Sequence, residues 1–209
     1  VMFEDSVLTT TRDARAWEAY WVNRNIYRRR VEHLAVQVNG DGLDELRTVV
    51  DGKNRRLGVL VNLFDQVMHT VKGMTPESDK RIYYDALRSH LENGRLAELF
   101  AGLLSQGYRV FVTADHGNVA GVGTGLKPPK ALVESYARRV ALFDDPELAE
   151  SYRDEHEELY TFWTKVLPSS IQPVYLEGDQ LFASAGETMI SHGGLSIEEL
   201  IVPFVEVKK

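Results

Sequence analysis

The chain has 209 residues, of which 44% are hydrophobic and 26% are charged, an ordinary composition for a soluble globular protein. It has no cysteine, which excludes disulfides, thiolate metal sites and cysteine nucleophiles and fits a reducing compartment. Its net charge of −7 argues against a general nucleic-acid coat. Because we find no signal peptide and no apolar run of about 18 residues, we expect a cytoplasmic protein without membrane contact.

The N-terminal part of the chain predicts helices. Residues 12–32 carry aromatic and aliphatic side chains at helical spacing, so we expect a helix there. Residues 34–38 either continue that helix or form a short strand, and residues 40–50 are typical of a turn followed by a helix. We therefore expect residues 1–56 to be a helical lead without an assigned family, followed by a second part over residues 57–209.

The centre of the chain predicts an α/β unit. The apolar, β-branched segment 57–64 predicts a buried parallel strand, and residues 108–114 predict a second. Between them, residues 78–107 have a clear helical pattern, with a break at Gly94 and a C-terminal cap at Gly107. A strand, helix and strand of these lengths form a parallel crossover. We therefore expect an α/β fold with a mainly parallel sheet flanked by helices.

The C-terminal part predicts one more helix and several short strands. Residues 144–167 predict a helix with Asp145 as its N-cap and Pro146 in the first turn. The segments "VYL", "LFAS", "TMI" and "LIVPFVEV" follow it. Their β-branched and aromatic side chains each predict a short strand.

Three motifs place metal-binding side chains directly after apolar segments or beside glycines. "NLFDQVMH" supplies Asp65 and His69 at i, i+4 spacing, which puts both side chains on one helix face. "TADHGN" supplies Asp115 and His116 after a predicted strand, and "ISHGG" supplies His192. Because ligands of parallel α/β sheets bind beyond the carboxyl ends of the strands, we expect these side chains to converge.

The ligand types favour particular metals. Imidazole nitrogen and carboxylate oxygen suit zinc or manganese better than magnesium or calcium. Two such ions about 4 Å apart form a clamp for attack on phosphorus, because one activates the nucleophile and both stabilise the phosphoryl oxygens. Gly117 is expected to let the turn after Asp115 and His116 form without steric cost.

The three motifs, in this order, resemble the alkaline phosphatase superfamily. The likeness is closest to its PglZ branch, which is associated with bacterial phage defence of the phage-growth-limitation and BREX type. "KPPK", "ARRVALF" and "SHGGLSIEELIVPFV" resemble the same branch, and the resemblance covers residues 57–207. It implies an alkaline-phosphatase-like fold, of which this chain is expected to be the incomplete, C-terminal part.

The resemblance also implies a role for each motif residue. Asp65, His69 and His192 are expected to bind one metal ion, and Asp115 and His116 a second. The nucleophilic Ser or Thr is expected to lie outside this chain, so we expect the chain alone to be inactive. The full-length protein is expected to hold two divalent ions.

These roles imply a metal-dependent phosphoryl hydrolase of the phosphatase or phosphodiesterase type. Its expected substrate is a phosphate ester, with nucleic acid or a nucleotide as candidates, and its expected partners are proteins of a phage-defence complex. The alternative is a non-catalytic scaffold of such a complex, with a structural metal or none. A phosphomutase is a third interpretation, but it requires an inserted substrate domain of which the sequence gives no sign.

Other segments have simpler interpretations. We expect "GVGTG", residues 121–125, to be a loop, which could also hold a phosphate on backbone amides. The basic segment 24–30 is interpreted as a solvated helix face rather than a nucleic-acid contact. Of Arg138 and Arg139, one is a candidate phosphate contact and the other a partner for the acidic helix that follows.

Overall fold

The structure, a computed structural model, describes most of the chain. The described residues are 13–36, 56–71, 75–128, 138–162, 167 and 169–208, without the side chain of His69. The predicted turn and helix over residues 40–50 lie outside these ranges. None of the described helices combines the length and the apolar character needed to cross a bilayer.

The described residues contain both helices and strands. The helices are α1 (Asp13–Val22), α2 (Leu63–Thr70), α3 (Pro76–Glu92), α4 (Arg95–Ser105), α5 (Pro146–Asp154) and α6 (Ile197–Leu200). The strands are β1 (Val31–Val36), β2 (Arg56–Val61), β3 (Val110–Thr113), β4 (Val119–Gly123), β5 (Val140–Phe143), β6 (Leu159–Thr161), β7 (Gln172–Leu176), β8 (Gln180–Leu181), β9 (Thr188–Ser191) and β10 (Phe204–Val207). The α/β class expected from the sequence is confirmed.

The described strands form small, mixed sheets rather than one mainly parallel sheet. β1 pairs with β2 in parallel, and β3 pairs with β10. β4 lies between β8, which is parallel to it, and β9, which is antiparallel. β7 lies between β5 and β6, and both are antiparallel to it. The predicted crossover treated β2 and β3 as strands of one parallel sheet, but their described partners are β1 and β10.

The chain divides into two compact units, each with its own core. The first contains the described parts of Val1–Gln66, Leu87–Phe111 and Glu206–Lys209, and the second those of Val67–Ala86 and Val112–Val205. These units differ from the predicted division near residue 56, which stays a prediction.

In the first unit, a hydrophobic cluster joins strands β1 and β3 to helix α4, through Val36, Val110, Leu99 and Leu103. In the second unit, the β5–β7–β6 sheet is covered on both faces. Ala141 and Phe143 belong to one cluster, whereas Val140 and Leu142 belong to another. This alternation follows from the two-residue period of a strand.

The predicted N-terminal helix is too long. Helix α1 ends at Val22, Asn25 has a φ of 63°, and a 3-10 turn (Arg28–Arg30) leads into β1. A left-handed residue breaks the repeating hydrogen bonds of a helix, so the basic segment 24–30 is not a helix face. The strand alternative for residues 34–38 is confirmed over its described part, which ends at Val36.

Two glycines mark a helix break and a helix end in the region before β3. Gly94, with a φ of 81°, separates α3 from α4, so the predicted break is confirmed. Gly107, with a φ of 82°, follows the end of α4, where its amide donates to Leu104 O and the Tyr108 amide donates to Leu103 O. This pair of bonds is a Schellman motif, and the predicted cap is confirmed.

The predicted helix over residues 144–167 begins correctly but ends early. Asp145 caps α5, because its Oδ1 accepts from the amide of Glu147 at 2.8 Å. The helix stops at Asp154, and β6 then pairs with β7. Leu159 is buried in that pairing. Residues that local propensity predicted as helix therefore form a strand, because the strand buries them in the sheet. Of the short strands predicted after it, "VYL" and "TMI" are confirmed in β7 and β9, whereas "LFAS" contributes only Leu181 to β8 and "LIVPFVEV" only its last four residues to β10.

Candidate metal centre

Asp65 lies where the sequence predicted it, on a helix that follows a strand. Only Asn62 separates β2 from α2, and the amide of Gln66 donates to Asn62 O at 3.1 Å. Asp65 occupies the first turn of α2, where a carboxylate is favoured by the helix dipole. His69 follows in the same helix, but its side chain is outside the described part of the chain.

The loop after β3 presents His116 in a defined tautomer. Nδ1 of His116 lies 3.0 Å from the carbonyl oxygen of Gly117. Because a carbonyl oxygen only accepts hydrogen bonds, Nδ1 carries the ring proton, and Nε2 keeps its lone pair for a ligand. Asp115 Oδ1 accepts from the backbone amide of His116 at 3.1 Å, which fixes the start of the loop.

Gly117 is required by close approach rather than by its φ. It is absent from the described glycines with positive φ, but a Cβ there would lie 1.8 Å from the carbonyl oxygen of Glu198. Its amide donates to Glu199 O at 2.9 Å. The sequence predicted that Gly117 eases the turn after His116, whereas the structure shows that it allows close approach to the main chain of Glu198.

His192 meets His116 although they stand far apart in the chain. It follows the last residue of β9, and Gly193, with a φ of 100°, turns the backbone after it. The two imidazole rings stack with centroids 4.0 Å apart and planes 18° apart. Two of the predicted ligands are thus brought together within the second unit.

Asp65 belongs to the first unit, whereas His116 and His192 both belong to the second, so the site that can be described within one unit is the pair of histidines. Each of these histidines offers a ring nitrogen. Imidazole nitrogens suit zinc or manganese.

Asp115 is much more exposed than its neighbour His116. Its side chain is 74% exposed, whereas that of His116 is 28% exposed, and its Oδ2 lies 3.8 Å from Nε2 of His116. The ring of His116 lies against that of His192, which was expected to hold the first ion. The division of the predicted ligands between two ions stays a prediction.

The glycine-rich segment 121–125, which was expected to be a loop, lies in strand β4 as far as Gly123. Gly121 and Gly123 lie in β4, and the amides of residues 122 to 125 all donate to main-chain carbonyls. The amide of Gly123, for example, donates to Glu187 O at 2.7 Å. These amides are already used, so the structure gives no support to a phosphate site on this segment.

Sequence reasoning missed a buried ion pair between Arg139 and Glu199. Nη2 of Arg139 lies 3.2 Å from Oε2 of Glu199, and both side chains are 1% exposed. Arg139 is therefore neither a phosphate contact nor a partner of the acidic helix. Arg138, which is exposed, donates instead to the carbonyl oxygen of Phe182 at 3.1 Å. The sequence did contain a signal for Glu199, because Ser196 and Glu199 have the spacing of a helix capping box.

Glu199 is held in its charged form. Burial alone would raise the pKa of its carboxyl group. Hydrogen bonds from Arg139 and from the amide of Gly194, together with the charge of Arg139, outweigh burial and leave the pKa below its usual value. The residue is thus an acceptor for surrounding amides at neutral pH.

Two comparisons relate the chain to known proteins. A model of the BREX system PglZ alkaline phosphatase-like domain matches residues 4–207, and so extends upstream of the motifs. A solved structure of murine ectonucleotide pyrophosphatase / phosphodiesterase 5, an inactive form in complex with AMP, is similar with a TM-score of 0.58 and 15% identity. That similarity covers 93% of this chain and 65% of the murine chain, so this chain spans less than two thirds of it. No curated protein matches the chain.

The similarity to the murine structure shows that the two chains share a fold. Because the identity is only 15%, it supports no conclusion about function. The family match, by contrast, covers nearly the whole chain and agrees with the resemblance of the three motifs. The chain therefore belongs to the PglZ family of BREX-system alkaline phosphatase-like domains.

Proposed function

We propose that this PglZ domain binds divalent metal ions and, as part of the whole protein, hydrolyses a phosphate ester in phage defence. The reaction is of the phosphatase or phosphodiesterase type. The proposed ligands are Asp65, His69, Asp115, His116 and His192, and zinc or manganese are the proposed ions.

The observation that supports this proposal is the stacked pair of His116 and His192. Two imidazoles with ring centroids 4.0 Å apart place ring nitrogens of both residues close together. The proton on Nδ1 of His116 is fixed by Gly117 O, so Nε2 needs no rearrangement to become a ligand. Asp65, which belongs to the first unit, is a proposed further ligand, and its carboxylate would supply negative charge for a cation. The residues present therefore fit a metal ion.

Divalent ions at such a centre activate an oxygen nucleophile and stabilise the charge on a phosphoryl group. The residues of this chain hold and orient the ligands. Asp115 Oδ1 secures the amide of His116, and the 74% exposure of the Asp115 side chain gives an ester access from solvent on that side. We assign no nucleophile.

The proposed substrate class is a nucleotide or a nucleic-acid phosphoester. The murine protein with the similar fold was solved with AMP, which motivates this choice without assigning it. The family description, which names the BREX system, motivates a role in phage defence alongside protein partners.

Metal titration tests the proposal most directly. Zinc and manganese are titrated calorimetrically into the wild-type chain, into His192→Ala and into His90→Ala, a matched histidine variant on α3. We expect binding by the wild type and by His90→Ala, and none by His192→Ala. Absence of binding by the wild type, or equal binding by all three proteins, would overturn the metal site.

Hydrolysis separates the enzyme from the scaffold alternative. The full-length protein is assayed with bis-p-nitrophenyl phosphate and p-nitrophenyl phosphate at saturating metal. Turnover that is lost in His116→Ala supports the hydrolase. Metal binding without turnover of either ester would favour a non-catalytic scaffold with a structural metal.

A further inference from the structure

Glu199 contacts the main chain next to both histidines. Its carbonyl oxygen accepts from the amide of Gly117 at 2.9 Å, one residue after His116. Its Oε1 accepts from the amide of Gly194 at 2.7 Å, two residues after His192. A single residue therefore joins the two loops that carry the stacked imidazoles.

Arg139 fixes the orientation of this carboxylate. Its Nε donates to Oε1 of Glu199 at 3.3 Å and its Nη2 to Oε2 at 3.2 Å. The guanidinium is itself fixed, because Nη2 also donates to Gly178 O at 2.6 Å and Nη1 donates to Gln180 O. A planar guanidinium held at all three of its nitrogens allows the carboxylate little freedom.

The glycines at both contact points have a steric reason. At Gly194, an added Cβ would lie 2.6 Å from Oε2 of Glu199 and 2.9 Å from Nε of Arg139. At Gly117, it would lie 1.8 Å from the carbonyl oxygen of Glu198. A larger side chain at Gly117 would push the His116 loop away from Glu199, and one at Gly194 would do the same to the His192 loop. Gly117 of the "DHG" motif and Gly194 of the "HGG" motif thus each allow a loop to approach residues 198 and 199 closely.

Stability alone is a weak reason for such a pair. Removing two charges from water is about as unfavourable as their attraction is favourable, and apolar replacements of buried ion pairs are often neutral or stabilising. Ligand geometry, by contrast, depends on main-chain positions within fractions of an ångström.

We propose that Glu199, oriented by Arg139, is the positioning residue that holds the His116 and His192 loops in register for a shared ligand. This inference rests on the proposed function for its metal, but the ring geometry it explains exists in the metal-free protein. The two claims can therefore fail separately.

The test replaces the pair by apolar residues of similar size. The variant is Arg139→Met/Glu199→Leu, and its matched control is Arg138→Met/Glu198→Leu, the same changes at the exposed preceding positions. In the metal-free proteins, nuclear Overhauser contacts between the His116 and His192 rings are measured. Zinc affinity is then measured by calorimetry.

We expect the buried-pair variant to remain folded by circular dichroism and to lose the contacts between the rings. Its zinc affinity should fall by about 10–100-fold, the usual effect of removing a group that orients metal ligands. The control should keep both properties. A folded buried-pair variant with intact ring contacts and zinc affinity within two-fold of wild type would overturn the proposal.

A measurement on the wild type keeps the proposal falsifiable if the variant does not fold. The amides of Gly117 and Gly194 should be protected from hydrogen exchange, because both donate to Glu199. Rapid exchange at either amide would overturn the positioning role. If the wild type binds no metal but keeps these protected amides and ring contacts, the proposed function fails and the positioning role stands.

Discussion

The ring of His116 lies nearly parallel to that of His192, with 4.0 Å between centroids and 18° between planes. Such offset or face-to-face contacts between aromatic rings contribute about 0.5–1.5 kcal/mol beyond their buried area. The stack also places ring nitrogens of the two residues close together. The contact therefore has one consequence for the metal-free protein and another for the metal-bound protein.

A double-mutant cycle separates these consequences. His116→Ala and His192→Ala should each abolish the stabilisation by zinc, about 2.7 kcal/mol at a concentration 100 times the dissociation constant. The double variant should lose no more, because both residues serve the same ion. Without zinc, the cycle should give a coupling of about 0.5–1.5 kcal/mol from the stacked rings. Urea denaturation with zinc and with a chelator measures both quantities, and full additivity in zinc would contradict a shared ion.

Gly117→Ala should destabilise the protein, whereas Gly102→Ala should stabilise it. At Gly117, the new Cβ would lie 1.8 Å from the carbonyl oxygen of Glu198, so the main chain must shift, at a cost of about 1–3 kcal/mol. At Gly102, inside α4, nothing lies within 4 Å of the Cβ, and alanine should add about 0.5–1 kcal/mol of helix stability. Urea denaturation of both variants measures the difference. Equal and small effects would mean that the contact of Gly117 with Glu198 is absent in solution.

Local features of this fold could be read from the sequence. Gly94 and Gly107 mark the break and the end of helices because their positive φ values are disfavoured for other residues. Asp145 caps α5 because its side chain accepts from the amide of Glu147, so this cap can be predicted from residues two positions apart. Asp65 was placed on a helix after a strand by the same kind of local pattern.

Features that depend on distant residues could not be read in this way. Strand β3 pairs with β10, which comes much later in the chain, and no local sequence pattern predicts this pairing. Glu199 had a recognisable capping spacing, but its pairing with Arg139 requires the two segments to meet in the fold. The same holds for the stacking of His116 on His192. The sequence predicted both residues as ligands, but it did not predict that their rings stack.

The stability of the protein should decrease between pH 7 and pH 5, in part because of His33. Burial lowers the pKa of this histidine, although the nearby Asp13 opposes the shift. The folded protein therefore binds this proton more weakly than the unfolded chain does. Since the unfolded chain takes up more protons as the pH falls through about 6.5, the free energy of unfolding decreases there.

The variant His33→Gln isolates this contribution. It removes the titrating group, so the free energy of unfolding should fall less between pH 7 and pH 5 than in the wild type. His90→Gln, on helix α3, is the matched control and should retain the wild-type slope. Urea denaturation at pH 7, 6 and 5 measures the three slopes. Identical slopes for wild type and His33→Gln would contradict a lowered pKa at this position.

The two leucines Leu176 and Leu200 should respond very differently to replacement by alanine. Leu176 lies in β7, the middle strand of its sheet, is 0% exposed and packs with Phe143 and Val174. Leu176→Ala removes buried apolar surface and leaves a cavity, so the free energy of unfolding should fall by about 2–5 kcal/mol. Leu200 in α6 is 57% exposed, and Leu200→Ala should change it by no more than about 0.5 kcal/mol. Urea denaturation compares them directly, and a comparable loss in both would show that the surface around Leu200 is covered in solution.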